Sequence, residues 1–283
     1  MSDGLPDPGD RRVTPRRPDL ASRALEGMLP AASYVDPMPR VMRAAAAGIH
    51  AAPDAGSEQQ DQLLFGEGFE VLEEAGGWAW GQARRDGYVG YVRADALAPA
   101  GAPATHRVAA IRTYAFAEPS IKSRALGPYS LNALVTVEAT EGRFVKAEGS
   151  GWFTIEHLAP VGVFESDPVA VAERYLGAPY LWGGRESLGL DCSGLVQQAL
   201  LACGRACPRD TDQQQTLGHA VEPQDLARGD LVFWRGHVAL MRDATHILHA
   251  NAFHMATTIE PLAQAVARIA AGPTGEPVAY RRP

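Results

Sequence analysis

The chain of 283 residues has only three cysteines, Cys192, Cys203 and Cys207. Three thiols cannot all pair, so a disulfide framework is excluded as the source of stability. Cys203 and Cys207 lie close together, but no further Cys or His follows at the spacing of a tetrahedral zinc site. No metal is expected, and both read as packing at a helix end. Long apolar runs are missing as well; none approaches the roughly 18 residues that cross a bilayer. Met1 to Arg17 is polar and proline-rich, without the basic stretch and apolar core of an export signal. A cytoplasmic protein with no membrane contact is the expectation. Positive charge is also scarce, with 26 Lys+Arg against 33 Asp+Glu and a net charge of −7. That leaves no broad field for phosphate backbones, so no nucleic-acid partner is expected.

What is present is an ordinary globular composition, 46% hydrophobic and 21% charged. The length supports two or three domains with their own cores. Residues 1–40 carry many prolines and read as an arm lying on the domains, with a short helix around Asp19 to Glu26. From 41 to 99 the texture turns to short β-like runs, Phe69 to Leu72, Trp78 to Gln82 and Tyr88 to Val92, separated by Gly and Asp turns. The outline recurs over 105–160. Leu134 to Val137 matches Phe69 to Leu72, Arg143 to Ala147 matches the Trp78 run, and both copies close on Leu-Ala-Pro, Leu97 to Pro99 and Leu158 to Pro160. Two tandem antiparallel barrels are predicted, and they resemble bacterial SH3-like modules. Trp78, Trp80 and Trp152 are either core aromatics or ligand-facing ones.

Residues 166–283 differ. Val169 to Leu176 reads as a helix with Ser166 or Asp167 as N-cap and Pro168 in its first position. An apolar helix follows over Cys192 to Cys203, stopped at Gly204, and then strands at Asp230 to Trp234, His237 to Arg242, Thr245 to Ala250 and Thr257 to Ile259. Helices first and antiparallel strands afterwards make an α+β layout. Cys192 opens the apolar helix, where unpaired N–H groups and the helix dipole favour a thiolate. His237 and His249 sit on neighbouring predicted strands. A helix-capping Cys, a His base and a third polar group form a papain-type arrangement.

Gly183-Gly184, Leu190-Asp191-Cys192-Ser193-Gly194, Arg228-Gly229-Asp230 and Gly236-His237-Val238 together resemble the NlpC/P60 family of cysteine peptidases. The resemblance implies a papain-like catalytic domain behind the two barrels. Cys192 would be the nucleophile, His237 the general base and His249 its orienting residue. Tyr180 would help to stabilise the oxyanion, and Asp191, Ser193 and Thr211 would hold the D-glutamyl and neighbouring groups. The family cuts γ-D-glutamyl amide bonds of bacterial wall peptides without a cofactor. SH3-like copies ahead of such a domain resemble the subgroup that trims murein peptides with a free N-terminal L-Ala, in peptidoglycan recycling. Its ammonium needs a carboxylate, for which Glu67 fits, with Tyr88 beside it and Tyr91 as the alternative. A monomer acting on L-Ala-γ-D-Glu-diamino acid is the expectation. Rival readings are an exported endopeptidase acting on polymeric wall, a wall-peptide-binding protein and an acyltransferase.

Overall fold

The computed structural model describes residues 9–283; the first eight positions of the expected arm lie outside them. The chain divides into two compact units. One takes in the chain as far as Leu158, apart from 109–112 and 130–132, which join Ala159–Pro283 in the other.

In the first unit, seven strands form one sheet in the order Gln59–Leu64, Ala46–His50, Val89–Arg93, Trp78–Ala83, Gly68–Ala75, Met38–Met42 and Leu97–Pro99. Strand side chains alternate between faces. Phe69 and Val71 therefore point to one core, with Met42, Ile49, Leu63 and Val92. A second sheet orders Ala125–Ser130, Arg112–Phe116, Trp152–Thr154, Phe144–Ala147 and Val137–Glu141. Its core, built on Val135, Val145 and Phe153, also takes in Leu64 and Phe65. Phe65 meets Tyr129 edge to face at 5.0 Å between ring centroids. A one-turn 3₁₀ helix, Ala94–Ala96 or Ile155–His157, directly precedes each Leu-Ala-Pro strand, Leu97–Pro99 in the seven-stranded sheet and Leu158–Pro160 in a separate three-stranded one.

Two readings of the arm change. The segment expected to be helical around Asp19 is a strand, Leu20–Ser22, paired in parallel with Ser33–Val35 and followed by a 3₁₀ turn, Arg23–Leu25. Leu20, Ala21 and Ser22 are buried in succession, which suits an extended segment better than a one-sided helix. The arm also ends before residue 40, because Met38–Met42 pairs with both Gly68–Ala75 and Leu97–Pro99. The arm does lie on the first sheet. The Arg17 guanidinium stacks 4.3 Å from the Trp80 ring centroid, and Val89 N–H donates to the Arg12 carbonyl. Trp78 and Trp80 are buried; Trp152 is half-buried.

The second unit holds α1 (Pro168–Glu173), α2 (Cys192–Ala202), α3 (Thr211–Gln214) and α4 (Leu262–Ala270). Asp167 caps α1, accepting the Val169 N–H at 2.8 Å, with Pro168 in the first turn. A six-stranded antiparallel sheet runs His219–Ala220, Ala279–Arg282, Leu231–Trp234, His237–Met241, His246–Asn251 and Ala256–Pro261. Alternation divides its side chains. Leu231, Phe233, Val238, Leu240, Leu248 and Ala250 pack with α1 and α2. Val232, Trp234, Ala239, Met241 and Ile247 pack with Leu262, Ala265, Val266 and Ile269 of α4, spaced for one helix face. Buried on nearly every side, α2 runs through the middle of the first of these cores.

Candidate active site

The position of Cys192, the expected nucleophile, follows from the cap of its helix. Asp191 has extended backbone, and its Oδ1 accepts the Gly194 N–H at 2.8 Å, which starts α2 at Cys192. A cap of this kind is worth about 1 kcal/mol. The same carboxylate accepts the Gly183 N–H at 2.8 Å and the Ser193 hydroxyl at 3.2 Å. Arg209 clasps both its oxygens, at 3.0 and 2.6 Å, and donates to Ser193 Oγ at 2.8 Å. Both ions are buried, Arg209 with 1% of its surface exposed. The glycines of the motif permit this closeness. A Cβ on Gly194 would lie 2.3 Å from the Gly184 carbonyl oxygen, and one on Gly184 would lie 2.5 Å from that of Gly189.

Cys192 is buried, and its Sγ lies 3.9 Å from Thr211 Oγ1 at the start of α3. Gln214 ties α3 to α2 through the Ser193 carbonyl at 3.0 Å. From the sheet, Val238 packs in the same buried core as Cys192, and the strand His237–Met241 lies against α2. The neighbour of Val238 is His237, so the strand that packs on α2 also carries this histidine. His237 Nε2 is 2.9 Å from His249 Nδ1, and His249 Nε2 is 2.8 Å from Glu260 Oε1. His237 Nδ1 is the ring nitrogen outside these two contacts.

Burial, then the Asp191 carboxylate, pushes the Cys192 thiol up to about 11, against the pull of Val238 N–H and the Thr211 hydroxyl. Burial, then the neighbouring His249, takes His237 down to about 3. The thiolate expected at a helix N-terminus is therefore not the resting form. The first reason is burial, which disfavours a charged sulfur; the Asp191 carboxylate of the cap adds to it, opposing a negative charge at the helix start. Thiol and imidazole therefore both rest neutral at neutral pH. Tyr180 is half-buried. Burial first, then Cys192 and Asp191, raise its pKa, so its hydroxyl stays protonated and able to donate.

Cys192, His237, His249, Tyr180, Asp191, Ser193 and Thr211 all fall in the second unit, and the contacts above join most of them directly. Glu67 and Tyr88 stand in the first. Glu67 is 1% exposed; its Oε2 accepts the Leu64 N–H at 2.9 Å and its Oε1 pairs with Arg85 at 2.8 Å. Tyr88 belongs to the core of the seven-stranded sheet, and Tyr91 is half-buried. Both expected substrate contacts, Glu67 and Tyr88, therefore have barrel roles of their own.

Three residues of the site escaped the sequence reading: Arg209, Glu260 and Arg268. Arg209 lies between Pro208 and Asp210 in a motif read for Thr211, and nothing in the pattern signals its partner. Glu260 reaches His249 only through strand register, and Arg268 reaches Glu260 from α4, a helix not foreseen. Among the described residues, His249, His254 and Glu260 bring potential metal-ligating atoms within 4.8 Å of one another. The Glu260 oxygen is already shared by His249 and Arg268, so this donor set is an ion-pair cluster and gives no support for a cation.

Residues 177–268 match the NlpC/P60 family model, and residues 49–97 match the model of the bacterial dipeptidyl-peptidase SH3 domain. A dipeptidyl-peptidase 6 of Lysinibacillus sphaericus is 25% identical over 241 residues, 76% of this chain and 88% of that protein. A gamma-D-glutamyl-L-lysine dipeptidyl-peptidase of Bacillus subtilis is 30% identical over 188 residues, 62% of this chain and 64% of that protein. The crystal structure of an NlpC/P60 family protein from Bacillus cereus superposes with a TM-score of 0.74 at 19% identity, covering 86% of this chain and 99% of that one. That likeness establishes the fold.

Proposed function

From the premise that the chain carries an NlpC/P60 cysteine peptidase domain behind a bacterial SH3 domain, we propose that it cuts cell-wall peptides. The bond is the γ-D-glutamyl amide to the diamino acid, in peptides whose N-terminal L-Ala is free. One observation carries the chemistry: a buried Cys192 at the capped start of α2, packed in one core with Val238, which is next in sequence to a His237 hydrogen-bonded to His249. In the proposed sequence the thiol proton passes to His237 and the sulfur attacks the γ-carbonyl carbon. The Cys192 N–H, in the first turn of α2 and free of an intrahelical acceptor, and the Tyr180 hydroxyl receive the oxyanion. The C–N bond then breaks as His237 returns its proton to the leaving amine. Water, deprotonated by His237, opens the thioester, releasing the D-Glu γ-carboxylate and restoring the thiol. No cofactor takes part in this scheme. Thr211, beside the sulfur, and Ser193, held by Asp191 and Arg209, are the proposed contacts for the D-glutamyl group.

The preference for a free N-terminus draws support from the relatives' names. A dipeptidyl-peptidase releases two residues from an unblocked end, and the Bacillus subtilis relative is named for a γ-D-glutamyl-L-lysine bond. We propose Glu67, with Tyr88, as the ammonium partner, a role that must coexist with its pairing to Arg85. The recurrence of the strand order and of the 3₁₀ turn supports reading 105–160 as a second SH3-like module. Recycling of such peptides by a cytoplasmic monomer is the setting proposed. The experiment compares turnover of L-Ala-γ-D-Glu-diamino acid with that of its N-acetylated form. Turnover of the free peptide alone is expected; equal rates on both, with activity on intact sacculi, would favour the exported endopeptidase instead.

A further inference from the structure

We propose that Glu260, held by Arg268, is the residue that orients His249 and, through it, the catalytic base His237. The proposal rests on the peptidase reading of the site and adds a fourth member to its relay. Strand register supplies the first part of the case. Thr258 lies opposite His249 and Glu260 opposite Ile247, so Glu260 stands diagonal to His249 on the same face of the sheet. Its Oε1 is 2.8 Å from His249 Nε2, and the same oxygen accepts from Arg268 on α4. The His249 side chain is fully buried and that of Glu260 is 12% exposed, so little water competes for these bonds. Arg268 is fixed in turn, its guanidinium stacked 4.3 Å from the centroid of Phe253.

Proton logic supplies the second part. An ionised carboxylate only accepts, so the nitrogen facing it must carry a proton. With Nε2–H of His249 directed at Glu260, a neutral His249 presents a lone pair at Nδ1. His237 Nε2, 2.9 Å away, must then be the donor, and the lone pair of His237 moves to Nδ1. One carboxylate thus selects the tautomers of both rings and leaves the base ready for the thiol proton. When His237 gains that proton, the negative charge of Glu260 favours the imidazolium and the positive charge of Arg268 opposes it.

Burial raises the Glu260 carboxyl, but His249 and Arg268 outweigh it and hold the group below its ordinary range, ionised at neutral pH. The charged or titratable groups that act on the pair are Glu260 on the neighbouring strand, Arg268 on α4 and His254 in the following turn. The two charges act oppositely on His237, which gives a test that a purely structural role would not satisfy.

The test uses full-length Glu260→Gln, Glu260→Ala and Arg268→Gln proteins on the free wall peptide. For E260Q, kcat is expected to fall about tenfold, less than the roughly 10²–10⁴-fold that general acid–base catalysis itself contributes, with KM little changed. E260A, which loses the acceptor as well as the charge, should fall further. The acid limb of kcat/KM should move to lower pH in E260Q and to higher pH in R268Q. Limbs that stay in place, or move in the same direction, would overturn the proposal. A second readout needs no substrate. In Cys192→Ala protein, His249 should show a low-field, exchange-protected ring N–H proton resonance that disappears on adding Glu260→Ala. Its absence from the parent, or its survival in the double variant, would overturn the relay while leaving the peptidase reading standing. Failure of the parent enzyme to cut the peptide at all, with the resonance present, would sink the peptidase reading alone.

Discussion

Asp191 and Glu67 are both buried carboxylates bound to an arginine, yet only Asp191 stands beside a nucleophile. Asp191 faces an Arg209 whose side chain is 1% exposed, whereas the Arg85 that faces Glu67 keeps 20% of its side-chain surface. Glu67 accepts a backbone N–H within a turn, and Asp191 accepts one at the start of a helix that carries Cys192. The same pairing fixes a β turn in one unit. In the other it fixes Cys192, the proposed nucleophile, and opposes the formation of its thiolate. Depth separates them: a desolvated pair with no exposed partner is costly to disturb, and a pair with a half-wet arginine is not.

The largest expected effect is at the nucleophile itself. Cys192→Ala should abolish cleavage with an unchanged circular dichroism spectrum; residual turnover by that variant would discard the covalent mechanism. Next comes the deep pair. Arg209→Met leaves Asp191 buried and uncompensated, so urea unfolding should show a loss of about 3–5 kcal/mol. A loss below about 1 kcal/mol would mean that water reaches the pair. Glu67→Gln should cost less, about 1–2 kcal/mol, because it removes a charge-assisted hydrogen bond to a partly exposed partner. On the functional side, E67Q should raise KM for the free peptide; an unchanged KM would leave Glu67 with its barrel role only.

The smallest effect is in pH. His237 and His249 are held below the ordinary histidine value of about 6.5. Each therefore binds its proton less readily folded than unfolded, and its contribution to stability is complete above about pH 6.5. That contribution is lost progressively as the pH falls from there toward about 3. Unfolding free energy in urea, followed from pH 7.5 down to about pH 5, should decline; a flat or rising profile would contradict the buried, neutral histidine pair.

Much of this was legible in the sequence for identifiable reasons. Asp167 and Pro168 mark the start of α1 because cap and first-turn preferences are local. Cys192 opening an apolar segment, and His237 and His249 on successive strands, could be found because the period of 2 in strands and the helix start are written in neighbouring residues. The Asp19 segment misled because its apolar residues suited a helix only until Ser33–Val35 supplied a partner strand. Glu260, Arg268 and Arg209 were hidden because their roles depend on register and on contacts between elements distant in sequence, which no local pattern encodes. The expected thiolate failed for a related reason: the helix start was visible, but the depth at which the fold buries Cys192, and then the opposing charge of Asp191, depend on packing between elements.

The central claim is which bond Cys192 attacks. Mass analysis of products from L-Ala-γ-D-Glu linked to a diamino acid should return L-Ala-D-Glu and the free diamino acid portion, and neither should form with C192A. An intact peptide, or scission at the L-Ala amide, would contradict it.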